Sequence, residues 1–173
     1  MLGAAEILCH EDSIPDETAL EIVDIFHSNY PPSHTEEERS NDFLKRSNVE
    51  GIQTILSEGR RYFVARESSG SNLLLPVRGF IEARSVEVDG GVLEQLAWIM
   101  VREAYRSTGV ATLLHDAFIE DAIQKAAGRV LPTVAQLGVN KDNKDAYSIY
   151  KKWGYKYHQE SANGESVLLK KDL

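Results

Sequence analysis

The spacing of apolar residues changes near residue 60 and separates a helical first part of the chain from a strand-rich second part. Before residue 60, apolar side chains recur every three or four positions, which is the period of an α-helix. We predict three helices: one capped by Asp16 and stopped by Pro31 and Pro32, one capped by Ser33 or Thr35, and one over residues 52–56. The apolar faces of the first two contain Ala19, Ile22, Val23, Phe26 and Tyr30, and then Phe43 and Leu44.

Beyond residue 60, β-branched and aromatic residues cluster in three segments, which favours β-strands. These predicted strands cover residues 62–65, 77–88 and 92–101. The run Asp89-Gly90-Gly91 predicts a tight hairpin between the last two strands, and the polar residues 68–72 predict a loop between the first two. We expect consecutive antiparallel strands in this part of the chain.

The last third of the chain alternates between the two periods. We predict a long helix ended by Gly128, a strand over residues 133–139 and a helix capped by Asn143. A final hairpin is predicted between residues 155–157 and 167–169, with its turn at Asn163 and Gly164. The apolar faces of the two helices contain Val110, Leu113, Leu114, Ala117, Phe118 and Ala122, and then Ala146, Ile149, Tyr150 and Trp153. The predicted fold class is therefore α/β (α+β), with a single mixed, mostly antiparallel sheet of about six to seven strands flanked by about four helices.

Length and composition indicate one globular domain over residues 1–173, since 42% of the 173 residues are hydrophobic. No apolar run approaches the roughly twenty residues of a membrane span, and the first six residues do not have the pattern of a signal peptide. We therefore expect a cytoplasmic protein. The single cysteine, Cys9, excludes an internal disulfide, and we interpret it as a packing residue.

The run Arg106-Ser107-Thr108-Gly109-Val110-Ala111 joins a predicted strand to a predicted helix. Backbone N–H groups at a helix start form a binding site for phosphate, small residues let an anion approach, and the two hydroxyls can add donors. The glycine pattern is neither that of a dinucleotide site nor that of a P-loop. The five histidines are scattered without metal-ligand spacing, so no metal is predicted.

A second motif follows about thirty residues later, a distance suited to one helix and one strand. The order Arg-x-x-Gly-x-Ala, then Asn-x-x-Asn-x-x-Ala-x-x-x-Tyr-x-Lys-x-Gly-Tyr from Asn140 to Tyr155, resembles the two signature regions of the GNAT superfamily of N-acetyltransferases. The resemblance covers residues 61–169. It implies acetyl-CoA as co-substrate, direct acetyl transfer to a primary amine in a ternary complex, and a strand splay between residues 93–101 and 133–139 that holds the pantetheine arm.

The resemblance also implies site residues. Those expected to bind the cofactor are Ile99, Met100, Val101, Arg106, Ser107, Thr108, Gly109, Val110, Ala111, Asn140, Asn143 and Tyr147, with the main-chain N–H near Ile99 facing the oxyanion. Asn143 also has a complete explanation as a helix cap. Tyr150 matches the tyrosine that protonates the leaving thiolate, and its alternative interpretation is a core aromatic residue. For the general base, Glu94 is the first candidate, and Glu82 or a water molecule are the alternatives.

The formal charge of −8 is concentrated in the first sixty residues. They carry 13 acidic and 4 basic side chains, a balance of −9, whereas residues 61–173 carry 14 and 15, a balance of +1. In the resembled family the segment 1–60 borders the acceptor, and residues 61–173 form the cofactor-binding core. Negative charge there favours a cationic small molecule or a lysine or N-terminal amine as acceptor, although solvated helix faces explain it equally well. Nucleic acid and membrane partners are not expected, and homodimerisation is left open.

Two alternatives to acetylation remain at this point. One is a non-catalytic module that uses the CoA pocket as a sensor or interaction surface, against which the presence of Tyr150 argues. The other is transfer of a longer acyl group, such as succinyl or propionyl, with the same motifs.

Overall fold

The computed structural model describes residues 5–29, 46–67, 76–127 and 132–173. Within these residues the strands are β1 (Ala5–His10), β2 (Arg60–Glu67), β3 (Val77–Val88), β4 (Gly91–Val101), β5 (Thr133–Asn140), β6 (Lys156–Glu160) and β7 (Ser166–Asp172). The helices are α1 (Asp16–Asn29), α2 (Val49–Ser57), α3 (Val110–Ala126) and α4 (Lys144–Lys152), and a short 3₁₀-helix, Glu103–Tyr105, precedes α3.

The strands form one sheet in the order β1-β2-β3-β4-β5-β7-β6. Strand β5 runs parallel to β4, with register from Val92 opposite Thr133 to Leu96 opposite Leu137, and antiparallel to β7. Strands β1 and β2 are antiparallel, as are β6 and β7. This arrangement confirms the predicted fold class, a mixed and mostly antiparallel sheet flanked by helices.

Strand β1 was not predicted. It lies at one edge of the sheet beside β2, and its six residues are half-buried or exposed, so it has no continuous apolar signal. Cys9 belongs to this strand and is exposed. The interpretation of Cys9 as an interior packing residue is therefore wrong.

The predicted helices that fall on the described residues are present with small differences. Ala19 N–H donates to Pro15 O at 2.9 Å, so Asp16 lies in the first turn of α1 and does not cap it. Leu113 and Ile149, expected on buried faces, are 46% and 42% exposed. In α3 the buried residues Val110, Leu114, Phe118 and Ala122 recur every four positions, and Leu113 is one position away from this stripe.

Other predictions fall outside the described residues. These are the end of the first helix at Tyr30, Pro31 and Pro32, the second helix with Ser33, Thr35, Phe43 and Leu44, the loop 68–72, and the stop at Gly128. Among the described helices, none has the length and apolar character required to cross a bilayer.

The chain forms two compact units. The first comprises Met1–Glu82 and Trp98–Phe118, and its core is built by the apolar faces of α1 and α2 against strand residues. The members of this core include Ile22, Ile25, Phe26, Ile52, Ile55, Leu56, Tyr62, Val64, Phe80 and Met100. Trp98 packs against the same core, with its ring edge-on to Phe26 at 5.4 Å between centroids.

The second unit comprises Ala83–Ala97 and Ile119–Leu173. In β5 the residues Thr133, Ala135, Leu137 and Val139 are buried and alternate with more exposed ones, which is the period of a strand with one covered face. Strand β7 pairs with β5 from Asp172 to Ser166. Helix α4 lies between β5 and β6 in the chain, with Asn143 at its start.

Candidate functional site

The loop before α3 has an unusual backbone. Ser107 has φ 61° and Gly109 has φ 89°, both in the left-handed region. For Ser107 this conformation costs on the order of 1 kcal/mol, and such strain persists where the surrounding structure imposes it. Left-handed residues in a tight turn are a feature of anion-binding concavities, so this loop is a candidate site for an anion.

Gly109 marks the start of α3, since Leu113 N–H donates to Gly109 O at 3.0 Å. The N–H groups of the next residues, Val110, Ala111 and Thr112, belong to the first turn, where no intrahelical acceptor exists. A side chain built at Gly109 would meet no atom within 4 Å, so the space before the helix is open. The loop therefore combines free space, orphan donors and the positive end of a 17-residue helix.

The hydroxyl group of Thr108 makes a hydrogen bond within the loop. Thr108 Oγ1 donates to Tyr105 O at 2.6 Å, so its proton holds the loop together and does not point toward an anion. The guanidinium of Arg106 is exposed, and its Nη2 donates to Asn29 Oδ1 on α1. Thr108 is thus a structural residue of the loop, and Arg106 is held beside it.

The strand segment that leads into the loop is half-buried. The Met100 side chain is buried in the core of the first unit, whereas Ile99 and Val101 are partly exposed. A Cβ atom at Gly79 would lie 2.6 Å from Met100 O, so the glycine permits a close approach of the two backbones. With the side chain of Met100 committed to the core, its contact with a cofactor would use main-chain groups.

The two asparagines after β5 support the local turn. Asn143 caps α4, with its Oδ1 accepting from Ala146 N–H at 3.1 Å, as predicted. Asn140 Oδ1 accepts from Asp142 N–H at 2.8 Å and closes the turn between β5 and α4. Both side chains therefore have structural contacts that do not depend on a cofactor.

Tyr150 lies on α4 and is 8% exposed. Its ring packs against Trp153 at 5.7 Å and Tyr155 at 6.3 Å between centroids. Burial raises the pKa of Tyr150 from 10.0 to about 12. The pKa of Tyr155 is also raised, mainly by burial and to a smaller extent by the neighbouring Tyr150. The Tyr150 phenol is accordingly protonated at neutral pH. Tyr147, one turn earlier on α4, is half-buried, with Lys151 Nζ 6.0 Å from its ring centroid.

The two candidate carboxylates are both buried, in different surroundings. Glu94 lies on β4, and Ser85 Oγ is 2.9 Å from each of its oxygens. Glu82 lies on β3 and accepts hydrogen bonds from Arg46, Arg60 and Tyr62. A glutamate that accepts from two guanidinium groups and a phenol is committed to structure.

Several residues around the loop had no sequence signal. Asn29 contacts Arg106 of the loop from a distant part of the chain, Arg102 just before the loop pairs with Asp24, and Arg46 and Ser85 contact the two glutamates. Each is a single polar residue outside any motif. A pattern search would not find them, because their partners are determined by the fold.

The mixed sheet and the open loop before α3 match the fold expected for an acyl-CoA-dependent transferase. The chain matches the model of the acetyltransferase (GNAT) family over residues 19–155, and it belongs to this family. The expectation that the protein is an acetyltransferase, and hence an acyltransferase, is confirmed. A comparison with curated protein sequences gives no significant match.

Solved structures share the fold at low sequence identity. The PaiA N-acetyltransferase from Thermoplasma acidophilum in complex with coenzyme A has a TM-score of 0.69 and 16% identity, over 97% of this chain and 99% of that one. Naa50 from Arabidopsis thaliana in complex with the bisubstrate analogue CoA-Ac-MVNAL has a TM-score of 0.61 and 14% identity, over 96% and 99%. A glucosamine N-acetyltransferase region of a fungal GH3 β-N-acetylglucosaminidase has a TM-score of 0.64 and 23% identity, over 90% of this chain and 18% of that one.

Proposed function

We propose that this chain transfers the acetyl group of acetyl-CoA directly to a primary amine, with the loop at the start of α3 binding the diphosphate of the cofactor. The observation that carries the proposal is the open N-terminal turn of α3, which begins at a glycine with φ 89° and no neighbouring atom within 4 Å of a Cβ position. The N–H groups of Val110 and Ala111 would donate to phosphate oxygens. Arg106, exposed beside the turn, would add charge-assisted hydrogen bonds.

The acid of the proposed reaction is Tyr150. Acetyl-CoA supplies the activated acyl group, and the amine becomes acylated as the thiolate leaves. A phenol with a pKa of about 12 keeps its proton at neutral pH and can donate it to the sulfur as the C–S bond breaks. The contacts of Tyr150 with Trp153 and Tyr155 restrict its ring to one orientation, which favours a directed proton transfer.

Glu94 is the proposed general base, acting on the amine directly or through a water molecule. Its carboxylate has the Ser85 hydroxyl as a hydrogen-bond donor, and a hydroxyl can rotate as the carboxylate accepts a proton. Glu82 is not proposed for this role, because two arginines and Tyr62 already donate to it.

A cationic amine is the proposed acceptor class. Part of the negative charge in the first sixty residues is compensated inside the first unit, since Glu21 and Asp24 pair with Arg66 and Arg102. The exposed acidic side chains of Asp12, Asp16 and Glu17 add negative charge that would attract a cation. Protein N-termini and lysine side chains belong in the acceptor panel, since a structure of the same fold was solved with a peptide bisubstrate analogue.

The decisive experiment combines binding with turnover. Isothermal titration with CoA and acetyl-CoA is followed by thiol release over a panel of polyamines, aminoglycosides, amino acids, a lysine peptide and peptides with free N-termini. We expect binding of both cofactors and thiol release with at least one amine. A KM for a cationic amine that rises with salt, with no change for a neutral amine, supports electrostatic selection of the acceptor.

The alternatives give different outcomes in the same experiment. Binding without thiol release over the whole panel would favour a CoA-dependent sensor or interaction module. Faster turnover with succinyl-CoA or propionyl-CoA than with acetyl-CoA would favour a transferase for a longer acyl group. We also propose one acetyltransferase domain over residues 1–173, with residues 1–60 on the acceptor side. Acceptor KM values in variants of Glu11, Asp12 and Glu17 test the placement of residues 1–60.

A further inference from the structure

Two arginines before α3 are held by the same helix. Arg102 follows β4 directly and its Nη1 donates to Asp24 Oδ2, and Arg106 donates through Nη2 to Asn29 Oδ1. Asp24 and Asn29 are both in the C-terminal half of α1. The 3₁₀-helix and the start of the anion-binding loop are therefore held at both ends by α1, within the first unit.

The contacts of Arg102 fix the orientation of its side chain. Its main-chain N–H donates to Arg78 O at 2.8 Å, and its side-chain Nε donates to Val77 O at 2.8 Å. Its Nη2 lies 3.6 Å from Glu21, which itself accepts from Val77 N–H at 2.6 Å. These bonds join α1 to the start of β3 and the end of β4. The position at which the chain leaves β4 is thus set by α1.

The amide of Asn29 is also oriented. Its Nδ2 donates to Ile25 O at 2.7 Å, which leaves Oδ1 directed at Arg106. The contact with Asn29 uses one of the five N–H donors of the guanidinium, and the others keep their fork geometry for a second acceptor. Arg106 is long and exposed, so without this contact it would sample many rotamers and lose that freedom on binding a phosphate.

We infer that Asn29 and Asp24 of α1 are positioning residues for the cofactor loop. Asn29 holds the guanidinium of Arg106 beside the first turn of α3, and Asp24 fixes the start of the loop through Arg102. The diphosphate of the cofactor meets a preformed site, which lowers the ordering cost of binding. The inference rests on the proposed binding of acetyl-CoA at this loop.

The test uses Asn29→Ala and two thioesters, acetyl-CoA and S-acetylpantetheine, which has the thioester arm without the diphosphate. We expect the KM for acetyl-CoA to rise about fivefold to tenfold, in line with the cost of immobilising one long side chain on binding. The kcat should remain unchanged, and kcat/KM for S-acetylpantetheine should stay at the wild-type value. Ser28→Ala is the matched control, because the hydrogen bonds that the structure shows for Ser28 Oγ are to Asp24 O and Ile25 O within α1. Its KM should equal that of the wild type.

A double-mutant cycle identifies the route of the effect. In an Arg106→Ala background, Asn29→Ala should produce no further increase in the KM for acetyl-CoA, because the two residues act as one unit. Asp24→Asn, a second and nearly isosteric variant, should also raise this KM and leave the kcat unchanged.

Two results would overturn the inference. An equal loss of kcat/KM with both thioesters, or an additive effect with Arg106→Ala, would assign Asn29 a general structural role. Failure of this inference can be distinguished from failure of the proposed function. If Gly109→Ala weakens CoA binding and Asn29→Ala does not, only the positioning role is lost. If the wild-type protein does not bind CoA in isothermal titration, both are lost.

Discussion

Glu82 and Arg46, 36 positions apart in the chain, form a bidentate ion pair in the interior of the first unit. Arg46 Nε and Nη2 each donate to one oxygen of Glu82 at 2.6 Å, and both side chains are almost completely buried. Arg60 and Tyr62 also donate to the carboxylate. The Arg46 guanidinium further lies 5.8 Å from the centroid of the Trp98 ring. This contact set makes Glu82 a structural residue, which leaves Glu94 or a water molecule as the candidate base.

The first prediction concerns the stability of this buried cluster. Glu82→Gln removes a buried negative charge that accepts from two guanidinium groups and a phenol, so we expect the free energy of unfolding to fall by about 3 kcal/mol or more. Chemical denaturation at neutral pH measures the change. Glu87→Gln, an exposed site on the same strand, is the control and should stay within about 0.5 kcal/mol of the wild type. Equal stability of the two variants would refute the structural role.

The second prediction concerns Glu94 as the base. Glu94→Gln is nearly isosteric and cannot accept a proton, so we expect kcat/KM for the amine to fall by about a hundredfold, with CoA affinity unchanged. Steady-state thiol release and isothermal titration measure the two quantities. An unchanged kcat/KM would assign deprotonation of the amine to solvent.

The third prediction concerns Tyr150 as the acid. Tyr150→Phe removes the phenolic proton and preserves the ring contacts with Trp153 and Tyr155, so we expect kcat to fall by about a hundredfold with the Kd for CoA unchanged. The control is Tyr157→Phe, which alters an exposed tyrosine on β6. A Tyr150→Phe enzyme with wild-type kcat would reduce Tyr150 to a core aromatic residue.

The fourth prediction follows from the raised pKa of Tyr150. The unfolded phenol ionises near 10 and the folded phenol near 12, so the stabilisation is complete below pH 10 and is lost as pH rises toward 12. We expect the wild type to lose about 1 kcal/mol more than Tyr150→Phe between pH 9 and pH 11. Denaturant unfolding at the two pH values measures this difference. Identical losses in both proteins would contradict the burial of this phenol.

The fifth prediction separates strain from function at Gly109. Gly109 and Gly90 have φ 89° and 86°, and an added Cβ meets no atom within 4 Å at either site. Replacement of either glycine by alanine should therefore cost a similar free energy of unfolding, about 1 kcal/mol. Only Gly109→Ala should also weaken CoA binding, by about fivefold, because its backbone shapes the anion site. Equal CoA affinity in the two variants would exclude this loop as the diphosphate site.

The predictable part of the fold is the part with local periodicity. Helices α1 to α4 and strands β2 to β7 show the 3.6-residue or two-residue period or lie beside strong turn signals, and each was expected near its observed position. Strand β1 has no such signal, because an edge strand with exposed residues requires no continuous apolar run. For the same reason the exposure of Cys9 was missed.

The candidate site likewise has features that local sequence predicted and features that it did not. The loop with Gly109 and the helix with Tyr150 were recognised from short motifs, since a glycine at a helix start and a tyrosine at a fixed spacing are local features. The commitment of Thr108 to Tyr105 O was missed, because a hydroxyl can donate to an anion or to a backbone carbonyl, and the loop conformation decides between them.

By itself the sequence determined the positions of α1 to α4 and β2 to β7, the glycine-containing loop before α3 and the membership of an acetyl-transferring family, because each depends on residues that are near one another in the chain. The tertiary structure alone decided which polar groups meet. Arg46 and Glu82 are 36 positions apart and Arg106 and Asn29 are 77 positions apart, and both pairs form only after the sheet and α1 bring them together. A lone polar residue has many candidate partners along an unfolded chain. In the folded protein, burial and backbone geometry select its partners from among them.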